Sequence, residues 1–187
     1  VAANDTVGNT NSTTEISVTV DATSPTSLSF VSPTLNDGTN LSRNYYEVNL
    51  TFTETNPNNC LFDDGSNTSM TRVGSSCFIN RTSQTDGTKT YRVWVNDTAG
   101  NLATSATRTV VIDTVAPSVT ANSTLYPAGK IIAKVNDVVT LRATVTDATS
   151  GIDTVTVGAA AVCTVTPITL TLQSGNLYTG SCTIKSS

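Results

Sequence analysis

The sequence predicts an all-β protein made of sandwich domains in tandem, and three observations carry that expectation. Thr, Ser and Asn crowd a chain of 187 residues that is 37% hydrophobic and only 13% charged, a mixture that suits strands, turns and hydroxyl-rich surfaces better than helices. Apolar residues alternate with polar ones in short runs bounded by Gly, Asn, Asp and Pro, the period-2 mark of half-buried strands. The chain also repeats itself: "NDTVGN" at 4–9 returns as "NDTAGN" at 96–101, an offset of 92 residues (97 − 5). In that register, without a gap, Val1, Asn4, Asp5, Thr6, Gly8, Asn9, Val18, Asp21 and Pro25 fall on Val93, Asn96, Asp97, Thr98, Gly100, Asn101, Val110, Asp113 and Pro117. A period of about 90 residues is one sandwich domain, not a short solenoid repeat.

The complete copy runs over 26–117. "YYEVNLTF" sends Tyr46, Val48, Leu50 and Phe52 to one side and Glu47, Asn49 and Thr51 to the other. "CLFDDGSNTSM" reads as a short strand closed by an Asp-Gly turn, and "SSCFIN", "TYRVWVND" and "TRTVVID" as further strands, with Asp97 to Asn101 as the hairpin between the last two. About seven short strands separated by turn residues describe an immunoglobulin-like sandwich. Tyr91, shortly after Asp86-Gly87, falls where that fold places a corner tyrosine.

These residues carry a resemblance. "DGTKTYRVWVNDTAGN" followed by "TRTVVIDTVAP" resembles the closing strands of the tandem immunoglobulin-like repeats, bacterial-type and archaeal, of cell-surface, surface-layer, adhesin and extracellular filament proteins. "NDVVTLRATVTDATSGIDTVTV" is similar to the opening half of a sister type. The resemblance covers nearly the whole chain. It implies an extracellular structural or adhesive setting and names no ligand, since such repeats mark a fold and a location.

The third segment repeats the opening of the domain, with strand patterns at "VVTLRATVTD", "IDTVTV", "AAVCTVTP", "ITLTLQ" and "LYTGSCTIK", and lacks the final hairpin. Residues 1–25 are a final hairpin without a domain. The expected division is therefore 1–25, an orphan C-terminal hairpin; 26–117, a complete immunoglobulin-like domain; and 118–187, a domain lacking its last hairpin. One sandwich is complete and one is split between the chain ends.

Three arrangements compete. A return of the hairpin onto its own third segment would make it run the length of the complete domain, although 21–25 looks like the same short linker as 113–117. In an excerpt from a longer array, neighbouring repeats supply the missing halves, but a simple two-domain period leaves five residues after Cys182 for a crossing that takes 15 between Cys77 and Val93. In the third, the hairpin of one subunit completes the open sandwich of the next, covering apolar faces and unpaired backbone. A head-to-tail contact that does not close makes a filament. This homopolymer is the expectation, with Val1, Val18 and Val20 in the donated strands and a rise of about 70–80 Å per subunit from two sandwiches of ten-residue strands. A spacer or stalk fragment of a long surface adhesin is the alternative, and a glycan-binding module the third reading.

Cys60, Cys77, Cys163 and Cys182 form two local pairs, 17 and 19 positions apart. Their spacing is not that of a zinc knuckle and the chain has no His, so two disulfides formed in an oxidising, extracellular setting are expected, with Cys60 and Cys77 stapling neighbouring strands. Sequons at Asn4, Asn11, Asn40, Asn49, Asn67, Asn80, Asn96 and Asn122 permit covalent glycans, although a chain this rich in Asn, Ser and Thr holds about five by composition alone. A net charge of −4 and no basic run offer nucleic acid and anionic membrane nothing to meet. No apolar stretch reaches the roughly 18 residues of a membrane span. Val1 opens the chain without a Met or a basic-then-apolar leader, which reads as a trimmed or excised chain.

Without His, proton-transfer chemistry lacks its commonest carrier, and neither a catalytic residue nor a cofactor is expected. Glu47, Glu54, Asp63 and Asp64 could form a carboxylate pair, but Asp63-Asp64-Gly65 reads more simply as a turn. Asp5, Asp97, Asp147 and Asp153 lie in turns, with Asp21 and Asp113 at domain junctions. Such oxygens can serve calcium, yet no cluster can be assembled from sequence. No metal is expected: each side chain should cap its own turn, with Gly8 and Gly100 taking positive φ. Trp94 and Tyr91 suggest a carbohydrate platform, but the alternating strand around Trp94 favours packing, and its counterpart in the repeat is Ala2.

Overall fold

In the computed structural model, which describes residues 1–125 and 132–186 (backbone alone over 121–125), the chain is all β: seventeen strands and no helix among the described residues. They fall into two compact units, one of Val1–Val31, Asn49–Ile79 and Arg92–Ala106, the other of Ser32–Val48, Asn80–Tyr91 and Thr107–Ser187. The strands of 26–117 are β3 (Thr26–Val31), β4 (Thr39–Leu41), β5 (Tyr46–Thr53), β6 (Pro57–Asp63), β7 (Asn67–Ser69), β8 (Thr71–Val73), β9 (Ser76–Arg81), β10 (Gly87–Asp97), β11 (Leu102–Thr104) and β12 (Arg108–Ile112). They pair as two sheets, β3-β5-β9-β8 and β4-β12-β10-β6-β7, with β11 also on β10. The β12–β4 pair is parallel, with Val110 opposite Thr39.

Alternation decides which side chains enter the cores. In the first unit Leu50, Phe52, Cys60, Phe62, Met70, Cys77, Val93 and Val95 are all buried, each large aliphatic or aromatic side chain contributing about 1.5–3 kcal/mol relative to exposure. The disulfide Cys60–Cys77 joins β6 of one sheet to β9 of the other. It is thus a bolt between sheets, not a staple between neighbours in one sheet, because both Cys sit at inward positions of their strands. In the second unit Tyr46 stacks on Tyr91 at 5.5 Å between ring centroids, and Val48, Val110 and Ile112 are buried. Burial raises the Tyr91 hydroxyl to about 12.

The third segment forms one sheet, β13-β14-β17-β16-β15, from β13 (Ser118–Leu125), β14 (Val138–Thr146), β15 (Val155–Val157), β16 (Ile168–Ser174) and β17 (Leu177–Thr183). Its core holds Val139, Leu141, Ala143, Val145, Ile168 and Leu170 with the Cys163–Cys182 disulfide. Gly180 makes room here: an added Cβ would lie 2.6 Å from Leu170 Cδ2 and 3.2 Å from Thr169 O, so the Leu170 side chain would have to move. "AAVCTVTP" is not a strand. The N–H groups of Val162 and Cys163 both donate to Ala159 O and the Thr166 hydroxyl accepts from Ala159 N at 3.2 Å, so the segment turns locally and keeps a single antiparallel bridge, Cys163 opposite Ile184, with Thr164 N donating to Thr183 O and Lys185 N to Val162 O. β3, β4, β8, β11 and β13 are strands that the alternation did not mark, and the turn from Asp97 to Asn101 joins β10 to β11, not to "TRTVVID": β12 pairs with the other end of β10, Gly87 opposite Ile112.

Candidate functional site

Residues 1–13 fold as a hairpin, β1 (Ala2–Asn4) against β2 (Thr10–Ser12), with Ala2 opposite Ser12 and Asn4 opposite Thr10. The closing hairpin of 26–117 has the same register at the same offset, Trp94 opposite Thr104 and Asn96 opposite Leu102. The turn chemistry is duplicated bond for bond. Asn9 Nδ2 donates to Asp5 Oδ2 and Asn101 Nδ2 to Asp97 Oδ2, both at 2.7 Å. Asn9 N–H and Asn101 N–H reach the other oxygen of the same carboxylates at 2.9 and 2.8 Å. Gly8 and Gly100 close the turns at φ 93° and 92°, a region open to Gly at no steric cost. Thr13 N donates to Val1 O at 2.8 Å as Ser105 N does to Val93 O at 2.9 Å, and each hydroxyl accepts in return from Val1 N or Val93 N.

Burial is what differs. Val93, Val95, Val110 and Ile112 are 0–1% exposed, whereas their counterparts Val1, Val18 and Val20 are 94%, 80% and 85% exposed, and Ala3 is exposed too. Residues 13–25 form no strand, although 16–20 matches β12 in register. The first hairpin is therefore a preformed copy of a closing hairpin, with its core-facing side bare. On the third segment, β15 is an edge of its sheet, while β6, the counterpart that follows β5, pairs with β10. Leu172 continues the inward row of Ile168 and Leu170 on β16 yet is 58% exposed.

The hairpin carboxylates are held ionised. Asn9, through its side chain and then its N–H, places Asp5 below the usual range. Burial raises Asp97, but the Asn101 side chain and the N–H groups of Asn101, Gly100 and Ala99 outweigh it and leave it lowered. Asp147 caps its own turn, accepting from Thr149, Ser150 and Gly151 N–H. Asp113 reaches beyond its own turn, accepting from Val115 N at 3.1 Å and from Ser150 N at 3.0 Å. The sequence offers Glu54 only as part of a carboxylate pair with Glu47, Asp63 or Asp64, and does not join it to Asp21 and Asp97. Asp21, Glu54 and Asp97 each bring a carboxylate oxygen within 4.8 Å of the others, a donor type that suits a hard cation. The signal available in the sequence was the acid that ends both β5 and β14, Glu54 and Asp147.

The remaining candidates lie apart from the hairpin turn. Asp63 accepts from Arg92 Nε at 2.9 Å and from Trp94 Nε1 at 3.2 Å, and Arg92 lies 4.6 Å from the Trp94 ring centroid. The guanidinium covers a face that a carbohydrate platform would need. Glu54 accepts from Asn56 N–H, and Glu47 is half-buried on β5. Of the sequons, Asn4, Asn11, Asn40, Asn67 and Asn80 are exposed. Asn49 and Asn96 are half-buried, accepting from Ser76 Oγ and from Asn59 N–H. The Asn122 side chain lies outside the described residues.

No protein-family profile matches the chain, and no curated protein matches it in sequence. Among solved structures it is similar to the fibronectin(III)-like modules of Clostridium thermocellum CbhA, at 15% identity and a TM-score of 0.37, over 70% of this chain and 65% of that one.

Proposed function

We propose that this chain is a structural subunit of an extracellular filament or surface array, assembling head to tail as the 1–25 hairpin of one copy enters the incomplete 118–187 domain of the next. The carrying observation is the hairpin itself. It has the register, turn bonds and glycine geometry of the buried 93–104 hairpin, while Val1, Val18 and Val20 stand 80–94% exposed. Exposed apolar rows of this kind mark an interaction surface, and addition of strands to a free edge satisfies backbone and side chains together. The division into 1–25, 26–117 and 118–187 belongs to this reading. So do covalent glycans on the exposed sequons.

The role is mechanical: load passes through ladder hydrogen bonds, with disulfides limiting unravelling. Two disulfides and an all-β fold suit an oxidising, extracellular compartment. No enzymatic role is proposed. The alternative, a spacer within a longer surface adhesin, uses the same contact between repeats of one polypeptide. Calorimetry with a synthetic 1–25 peptide and a chain of residues 26–187 tests the contact: one-to-one binding is expected, and no binding at millimolar peptide contradicts it.

A further inference from the structure

The complete repeat contains a seam that strand donation would have to reproduce. At the seam, the linker 21–25 meets the 97–104 hairpin through one side chain. Asn101 Nδ2 donates to Asp21 O at 3.1 Å and to Thr23 O at 3.4 Å, while also holding Asp97 Oδ2 at 2.7 Å. The linker is turned by Asp21 Oδ1, which accepts from Thr23 N at 3.1 Å. A cleft beside it is lined by Thr23, Ser24, Thr26, Thr53, Glu54 and Thr55.

The same linker recurs 92 residues on. Asp113 Oδ1 accepts from Val115 N at 3.1 Å, and a cleft beside it is lined by Val115, Ala116, Ser118, Thr146, Asp147 and Ala148; the first three match Thr23, Ser24 and Thr26 in the repeat, and the last three match Thr53, Glu54 and Thr55 by pairing, Ser118 opposite Thr146 as Thr26 is opposite Thr53. The counterpart of Asn101 is Asn9, already fixed to Asp5 at 2.7 Å. A primary amide carries two N–H donors, and Asn101 shows how they divide, one to its own carboxylate and one to the linker.

We propose that Asn9 of a second copy docks on the linker 113–117, its Nδ2 donating to the carbonyls of Asp113 and Val115, so that the seam between subunits repeats the seam within the chain. This rests on the strand-donation reading and adds to it the end of the acceptor at which the turn lies. The apolar residues Val1, Val18 and Val20 drive entry, and Asn9 sets the turn against the linker. An amide is needed: a carboxylate at this position would lack the donors and face Asp5 with like charge.

Thiol cross-linking of mixed chains is the test. Chains carrying Asn9→Cys are mixed with chains carrying Val115→Cys, so that only intermolecular products form, and are treated with a short bis-maleimide. An Asn101→Cys and Thr23→Cys double variant gives the internal reference, and Lys185→Cys, an exposed site beyond the opposite end of β17, the control. Cross-linked dimer should exceed the Lys185→Cys mixture roughly tenfold or more, because docked thiols react at the effective concentration of a bound neighbour. Polymer that cross-links equally or better through Lys185→Cys overturns the placement of Asn9 while leaving donation intact. Absence of both polymer and cross-link overturns donation, and the placement with it.

Discussion

Replacing Val18 and Val20 together by Ala removes four methyl carbons that are bare in the unassembled chain and, in the proposed filament, as buried as those of Val110 and Ile112. The contrast is 80% and 85% exposed against 1% and 0%. At about 0.8 kcal/mol per buried carbon, each subunit contact loses about 3 kcal/mol, before any cavity term. That is roughly 100-fold in affinity at 1.4 kcal/mol per tenfold. The chain's own fold should lose nothing. The critical concentration for assembly, read by pelleting, should therefore rise roughly 100-fold, while the melting temperature below that concentration stays at the parent value. The matched pair Val110→Ala with Ile112→Ala should do the reverse, costing the fold about 4 kcal/mol and lowering Tm by about 20 °C. If the Val18 and Val20 variant assembles at the parent concentration, or melts as early as the matched pair, the equivalence of the two hairpins fails.

Gly100→Ala forces a left-handed φ on an L-residue and should cost the fold about 1–2 kcal/mol, seen in a denaturant melt, whereas Gly8→Ala should leave that melt unchanged and weaken assembly about tenfold. Loss of the Cys163–Cys182 bridge through Cys163→Ala with Cys182→Ala should cost about 3 kcal/mol in the same melt, with β17 and the 159–163 turn losing amide protection first. Asp5 and Asp97 sit below the ordinary aspartate value of 3.8, so Asp97 in the fold, and Asp5 in its hairpin alone, contribute stability that is full above that value and lost as pH falls through the lower folded values. An acid titration followed by circular dichroism should show the loss beginning below 3.8, and Asp97→Asn should remove part of it.

Much of this fold was legible because period-2 alternation is local. Tyr46, Val48, Leu50 and Phe52 announce β5, and Val139, Leu141, Ala143 and Val145 announce β14, without reference to the rest of the chain. The hairpin was legible for another reason: Asp5, Gly8 and Asn9 form a self-contained turn whose bonds all lie within five residues. "AAVCTVTP" misled because its apolar residues are held by the Ala159 carbonyl, the Thr166 hydroxyl and the Cys163–Cys182 bridge, none of which alternation reports. The sheet-to-sheet course of Cys60–Cys77 and the approach of Glu54 to Asp21 and Asp97 depend on distances between elements. Sequence order carries no such information, and the Arg92 cover on Trp94 was hidden for the same cause.

The central claim is tested most directly by electron microscopy of the purified chain 1–187 beside the same chain without residues 1–24. Regular filaments with an axial repeat of about 70–80 Å from the intact chain, and monomers from the shortened one, are the predicted result. Filaments from both chains, or monomers from both, would contradict donation of the hairpin as the means of assembly.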